Sequence, residues 1–159
     1  MSIIILEGEN KTGKSTLAGL LHEKTGYQLY KSSQPVKPPY YEYMEMLDEI
    51  GEGNAIIDRF HIGELVYGPL YRGESKLSKK EFEEIEHRLL KLGTILIYCY
   101  DDASRLARRF RQEKEEFAST NKIQKTLRLY NDVLRNTKLP IIKHKMESDN
   151  DLTRLIIKI

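Results

Sequence analysis

Eight residues near the start of the chain, Gly8-Glu9-Asn10-Lys11-Thr12-Gly13-Lys14-Ser15, carry the spacing G-x-x-x-x-G-K-[ST] and follow the apolar run Ile3-Ile4-Ile5-Leu6. Phosphate oxygens need a concave row of backbone N–H donors. Glycine lets the chain turn tightly without a Cβ in the path of the anion. Gly8 and Gly13 stand where such turns are needed, and the helix expected from Gly13 through Leu21 aims its positive end at the same oxygens. Lys14 then reaches the β/γ phosphates and the Ser15 hydroxyl is placed for magnesium, with Asn10, Lys11, Thr12 and Thr16 completing the phosphate-binding set. The chemistry implied is binding of ATP or GTP with Mg²⁺.

A second group follows the apolar residues Ala55-Ile56-Ile57: Asp58 and Arg59. Ligands of open α/β sheets gather at the carboxyl ends of the strands, so this pair is expected beside the phosphate loop. Asp58 can hold a magnesium-bound water or accept the proton of an attacking hydroxyl, and Arg59 can clamp a phosphate in bidentate fashion. A strand-terminal ion pair is the alternative. Further along, Arg105, Arg108 and Arg111 repeat at i, i+3 and share one face of a helix. They suit a lid, spanning about residues 105–120, that closes cations over developing charge, Arg108 being the catalytic candidate. A solvated basic face paired with Glu113, Glu115 and Glu116 would use the same residues. For an acceptor pocket the candidates are Tyr40, Tyr41 and Tyr43 after a proline-rich stretch, and Arg59, His61, Glu64, Tyr67 and Arg72 after the Asp-Arg pair. Rings stack on a base, and arginine or histidine holds its polar edge or a phosphate. Tyr67 suits a core equally well, His61 a helix cap and Glu64 a solvated surface.

The elements that must position these groups are legible in outline. Short aliphatic runs at Ser2–Leu6, Tyr27–Tyr30, Ala55–Asp58, Thr94–Tyr100 and Pro140–His144 alternate with longer helix-like stretches. That alternation predicts a parallel sheet with helices on both faces. Ser78 with Glu81 forms a capping box, Phe82, Ile85, Leu89 and Leu92 keep helical spacing, and Gly93 stops the helix. Further helices are expected from Asp101 or Asp102 to about Glu116, from Ser119-Thr120 to before Pro140, and from Asp149 to Ile157. The stretch Pro35-Val36-Lys37-Pro38-Pro39 reads as a surface loop at which an acceptor can enter.

The chain's 159 residues fit one domain, 1–159. Hydrophobic residues make up 40% and charged residues 31%, which excludes a disordered chain, and a net charge of +2 with interleaved signs excludes a histone-like tail. The single cysteine, Cys99, lies in an aliphatic run, so no internal disulfide framework exists. With no charged leader and no membrane-length apolar run, the expectation is a cytoplasmic protein without a membrane partner.

Taken together, Glu7 to Thr16, Asp58-Arg59-Phe60, the stretch Asp58 to Gly73, and Glu116-Phe117 leading into Lys125-Thr126-Leu127-Arg128-Leu129-Tyr130 resemble the thymidylate kinase-like and deoxynucleoside kinase-like branch of the P-loop nucleoside and nucleotide kinases, particularly its small phage-type members. The resemblance implies a three-layer α/β fold with a five-stranded parallel sheet in the order 2-3-1-4-5. It also implies Lys14 on the transferring phosphoryl, Ser15 and Asp58 at magnesium, Asp58 and Arg59 at the acceptor, and an arginine-bearing lid. Lys143-His144-Lys145-Met146 falls where such a fold brings a loop to adenine. Two positions depart from the family pattern: Gln34-Pro35 stands where many thymidylate kinases have an acidic residue before proline, and Asn10 where some relatives have aspartate. The implied activity is transfer of the γ-phosphate of ATP, with Mg²⁺, to a deoxynucleoside or nucleoside monophosphate. A kinase acting on a hydroxymethyl pyrimidine in phage DNA is one alternative, and a nucleotide-dependent switch ATPase is another. A homodimer and, for a phage protein, the host cytoplasm belong to the same expectation.

Overall fold

Five consecutive buried residues, Ile3–Glu7, form β1; such a run suits only a strand covered on both faces. The computed structural model describes residues 2–32, 37–112 and 120–146. After β1 come α1 (Lys14–Thr25), β2 (Gln28–Lys31), α2 (Pro39–Ile50), β3 (Ala55–Asp58), α3 (His61–Arg72), α4 (Lys79–Lys91), β4 (Thr94–Tyr100), α5 (Ala103–Gln112), α6 (Thr120–Leu134) and β5 (Ile141–Lys145). All strand pairs are parallel and their order is β2-β3-β1-β4-β5. This is the expected order, with β1 central because it must deliver the phosphate loop to the middle of the sheet.

Alternation of side chains across the sheet divides the core in two. Ile3, Ile5, Ile57, Leu96 and Tyr98 point to a larger cluster with residues of α2, α3, α4 and α6. Ile4, Leu6, Ile56, Ile97 and Cys99 point to a smaller one closed by Leu17, Ala18 and Leu21 of α1. Burial pushes the Cys99 thiol up to about 12, so it stays an inert core group. A third cluster, Leu106, Ala107, Phe110 and Ile123, holds α5 against α6.

Strand ends differ from the sequence reading by one residue at β1, β2 and β5, as is normal for boundaries. The capping box of α4 is present in both directions, Ser78 Oγ accepting from Glu81 N–H and Glu81 accepting from Ser78 N–H. Helix α2 was not foreseen. Pro39 occupies its first turn, where a missing N–H costs nothing, and Tyr43, Leu47 and Ile50 supply the buried stripe. The proline-rich run that suggested a loop therefore ends as a helix start. The expected helix 149–157, Gln34-Pro35 and the lid residues 113–119 lie outside the described residues. Among the described residues, no helix is long and apolar enough to cross a membrane.

Candidate functional site

The phosphate loop leaves β1 through backbone conformations that ordinary residues avoid. Gly8 has φ +147°, and a Cβ there would overlap the Cys99 carbonyl of β4, so only glycine passes. Gly13, at φ +75°, stands immediately before α1. Lys11 adopts φ 68° without being glycine, a conformation held by context at loops that grip ligands. Thr12 Oγ1 donates to the Glu9 carbonyl at 2.7 Å and pins the turn. Asn10, Lys11, Gly13, Lys14, Ser15 and Thr16 line a cavity of about 420 Å³.

Parallel pairing of β1 with β3 sets Leu6 opposite Asp58, which puts the aspartate beside that cavity. Lys14 Nζ lies 3.2 Å from Asp58 Oδ1, and Ser15 Oγ donates to Asp58 Oδ2 at 3.4 Å. The lysine and aspartate are both nearly buried, whereas Ser15 is exposed to the cavity. An ammonium, a hydroxyl and a carboxylate thus converge at the first turn of α1, a donor set that suits phosphate on the Lys14 side and a hydrated magnesium ion on the Ser15–Asp58 side.

Arg59, also at positive φ (64°), follows directly. Its guanidinium donates to Asn10 Oδ1 in a short contact, to the Gly8 carbonyl at 3.4 Å and to the Tyr67 hydroxyl at 3.4 Å, and it lies 4.8 Å from the Tyr67 ring centre. The Nε of Arg59 is buried without a hydrogen-bond partner among the described residues. Behind it, the wholly buried Glu7 ties three elements together. Its Oε1 accepts from the N–H groups of Phe60 (2.7 Å) and Gly63 (3.0 Å) at the start of α3, and its Oε2 accepts from the Tyr130 hydroxyl of α6 at 3.2 Å. Burial raises the Glu7 pKa, and the two backbone hydrogen bonds do not offset it. Gly63 leaves room for this carboxylate, since a Cβ would stand 3.2 Å from it and press it aside.

A second cavity, of about 360 Å³, runs along α3 and shares Asn10 with the phosphate cavity. Of the acceptor candidates, Tyr43, Arg59, Glu64, Tyr67 and Arg72 line it. Arg72 folds back over Gly68 to a short ion pair with Glu64 Oε1, which also accepts from Lys76 N–H. Three candidates lie elsewhere. His61 is fully buried behind the pocket, its Nε2 at 2.6 Å from Glu86, and Tyr40 lies on the outer side of α2, donating to Glu84. Contacts with α4 decide both: the His61 ring lies against Phe82 and Glu86 of that helix, and the Tyr40 hydroxyl reaches Glu84 of the same helix. Tyr41 is exposed.

Of the lid arginines, Arg105 pairs loosely with Asp101 and Asp102, while Arg108 and Arg111 are exposed without partners among the described residues. Arg109, which the i, i+3 reading passed over, reaches the phosphate loop. It donates to the Lys11 carbonyl at 2.8 Å and to the buried Asp101 at 2.6 Å. The available signal was Arg109's place one turn past Arg105 on the face of Leu106 and Phe110, which packing turns inward. Met146, just after β5, packs against Gly13, and Lys143–Lys145 belong to β5 rather than to the loop expected there. A further cavity, of about 680 Å³, lies apart from these groups, between α4 and the turn before β5.

Fold and phosphate loop together are those of a P-loop nucleotide-binding protein, and the solved structures of the same fold include nucleoside and nucleotide kinases. Among solved structures, deoxyadenosine kinase from M. mycoides with bound dCTP superposes with a TM-score of 0.64 at 18% identity, covering 99% of this chain and 98% of that one. Thymidylate kinase from Candida albicans gives 0.62 at 15%, covering 98% and 89%. No family model matches the chain. The SPbeta prophage-derived uncharacterized protein YorR of Bacillus subtilis is 31% identical over 142 residues, covering 87% of this chain and 86% of that protein, and the chain belongs to its family. A crystal structure of YorR in complex with phosphorylated GDP superposes with a TM-score of 0.85 at 27% identity, covering 98% of this chain and 94% of that chain.

Proposed function

We propose that the protein is a phosphotransferase that moves the γ-phosphate of ATP, with Mg²⁺, to a deoxynucleoside or (deoxy)nucleoside monophosphate. The observation that carries this reading is the meeting of two cavities at one charged junction. Asn10 lines both, and Asp58, Lys14 and Arg59 stand where donor phosphate and acceptor would come together. A binding ATPase needs only the first cavity. The nucleotide kinase folds among the neighbours and the phosphorylated GDP on the YorR relative support the same assignment.

Magnesium, when bound, neutralises charge on the β and γ oxygens. Ser15 and Asp58 would hold it directly or through water. Lys14, released from Asp58 as phosphate enters, cancels charge on the transferring group. Asp58 then orients the acceptor oxygen and takes its proton if that oxygen is a hydroxyl. Arg59, fixed by Asn10 and the Tyr67 ring, holds an acceptor phosphate or the ribose end. Arg109 anchors the base of the lid, and Arg105, Arg108 and Arg111 face solvent from which a closing lid would bring them inward.

The test is transfer of labelled γ-phosphate from ATP, with GTP in parallel, to pools of deoxynucleosides, their 5′-monophosphates, ordinary DNA and hydroxymethyluracil-containing DNA. Label in a monomer pool is the expected result. Label only in modified DNA would replace the acceptor class, and release of free phosphate with no labelled acceptor would replace the kinase reading with a switch ATPase.

A further inference from the structure

The carboxylate of Glu7 stands where the sheet itself has no need of one. It ends the run Ile3-Ile4-Ile5-Leu6 on the central strand, is wholly buried, and lines neither the phosphate nor the acceptor cavity. Removing a carboxyl from water is costly, and an aliphatic residue would fill the same place without that cost. Its partners show what the group does. Oε1 accepts from the N–H of Phe60, the residue that follows Arg59, and from that of Gly63 in the first turn of α3, while the Arg59 N–H donates to the Leu6 carbonyl at 2.9 Å. Two successive residues of β1 thus grip the turn on either side of Arg59.

Arg59 needs that grip. At φ 64° an arginine sits in the left-handed region, a conformation that persists only where the surroundings over-determine it. Of the two holds, the Leu6 carbonyl is backbone and would be there for any residue, whereas the Glu7 carboxylate is supplied by a particular side chain. The guanidinium end leans on the same source. The Tyr130 hydroxyl, also wholly buried, lies 3.2 Å from Glu7 Oε2 and 3.2 Å from the Gly8 carbonyl, so its one proton is shared between them. Arg59 donates to that same carbonyl at 3.4 Å, and its guanidinium lies over the Tyr67 ring, against which Tyr130 packs edge-on with centroids 6.0 Å apart.

We infer that Glu7 and Tyr130 are positioning residues that act through Arg59: the carboxylate sets its backbone, and the shared hydroxyl sets the Gly8 carbonyl and the Tyr67 ring on which its guanidinium rests. Neither touches a reacting group. Together they give a long, flexible side chain one orientation at the junction of the two cavities, where a misplacement of about 1 Å costs about a hundredfold in rate. What Glu7 contributes is the pair of amide hydrogen bonds and not its negative charge. That Arg59 serves phosphoryl transfer rests on the kinase reading; that Glu7 and Tyr130 place it does not.

The experiment compares Glu7→Gln, Glu7→Met and Tyr130→Phe in the full chain, each alone and combined with Arg59→Ala. It records kcat, KM for ATP, thermal unfolding, and solvent exchange of the Arg59 Nε–H by NMR, that N–H being buried without a hydrogen-bond partner among the described residues. Glutamine keeps Oε1 for the Phe60 and Gly63 N–H groups, and its Nε2 donates to the Tyr130 oxygen, whose proton then goes to Gly8, so kcat should stay within about threefold. Glu7→Met fills the space and offers no such acceptor, and kcat should fall roughly thirtyfold. Tyr130→Phe should lower it roughly tenfold, and in both variants KM for ATP should stay within about twofold. In the Arg59→Ala background the same two substitutions should change kcat by less than about twofold, because the residue they position is gone. A scaffolding role predicts equal losses in both backgrounds, and that result, or full activity in Tyr130→Phe and Glu7→Met, would overturn the assignment. If Glu7→Met does not fold, Tyr130→Phe carries the comparison. The exchange measurement needs no turnover: the Arg59 Nε–H should exchange at least about tenfold faster in Tyr130→Phe and Glu7→Met than in wild type. Faster exchange in a protein that phosphorylates no acceptor would keep the positioning role and remove the kinase reading. Unaltered exchange would overturn the positioning role and leave the kinase reading to the transfer assay.

Discussion

The two cavities that meet at Asn10 are built from different materials. The phosphate cavity is made from one continuous stretch, Gly8 to Thr16, and largely from backbone; its geometry is forced by two glycines and a helix start. The acceptor cavity collects residues from the loop after β2, from α2, from the β3–α3 junction and from one side of α3. A site of backbone depends on a few residues of fixed type, whereas a site of side chains depends on which way packing turns each helix. Damage on the donor side should therefore be large and indifferent to the acceptor offered. Damage on the acceptor side should be smaller and should sort acceptors from one another.

The largest effect is expected at Lys14. Its Nζ lies 3.2 Å from Asp58 Oδ1, and removing a positioned cation from developing phosphoryl charge costs about 10²–10³ in rate or more. Lys14→Ala should lower kcat by at least about a thousandfold for every acceptor while the protein still unfolds cooperatively. A loss confined to one acceptor would break the division between the two sides. Next is Arg109→Ala, which leaves Asp101 buried without its guanidinium and frees the Lys11 carbonyl. We expect kcat to fall by about a hundredfold together with weaker nucleotide binding, since the residue acts by holding the loop; Arg109→Lys should recover part of both. An unchanged nucleotide affinity would show that the loop needs no such anchor.

Behind the acceptor cavity, His61 and Glu86 form a buried pair that Thr137 and the Lys138 N–H complete. Burial alone would push the Glu86 carboxyl up, but the hydrogen bond and charge of His61, with those of Thr137 and Lys138, outweigh it and hold the pKa below the usual 4.5. The folded chain then binds this proton more weakly than the unfolded chain. The contribution is present above about pH 4.5 and is lost as pH falls through the lower folded value. Glu86→Gln should cost about 2 kcal/mol of stability at pH 7 and flatten the acid limb of the stability profile, measured by denaturant unfolding between pH 3 and 7. An equally steep acid limb in the variant would assign the acid lability to other carboxylates.

This difference in materials also decides what the sequence disclosed. The phosphate loop and the position of Asp58 follow from short-range patterns, glycine spacing and aliphatic runs, whereas the central place of β1 was implied by the family resemblance. Helix α2 was hidden because proline signals a loop and a helix start alike, and only the burial of Tyr43, Leu47 and Ile50 separates the two. Arg109 was missed because four arginines within seven residues offer several faces, and it is packing of Leu106 and Phe110 against Ile123 that selects one. His61 looked like a pocket residue because it follows Asp58 and Arg59 closely. The turn of α3 against α4 sends it to Glu86 instead.

The smallest effect, and the most discriminating, is expected at Glu64. Its carboxylate sits within a short contact of the Arg72 guanidinium and cancels that charge beside the acceptor. In Glu64→Gln the amide oxygen still accepts from Arg72 and from Lys76 N–H, so the wall keeps its shape while the cavity gains one positive charge. A unit charge several ångströms from an acceptor phosphate, in a half-solvated site, is worth about 1 kcal/mol, or roughly fivefold. The ratio of kcat/KM for a monophosphate to that for its parent nucleoside should therefore rise about fivefold in the variant, with the KM for ATP unchanged. The gain should shrink in high salt, as screening requires. A ratio that holds steady would mean that the Glu64–Arg72 pair lies too far from the acceptor phosphate for its charge to act there.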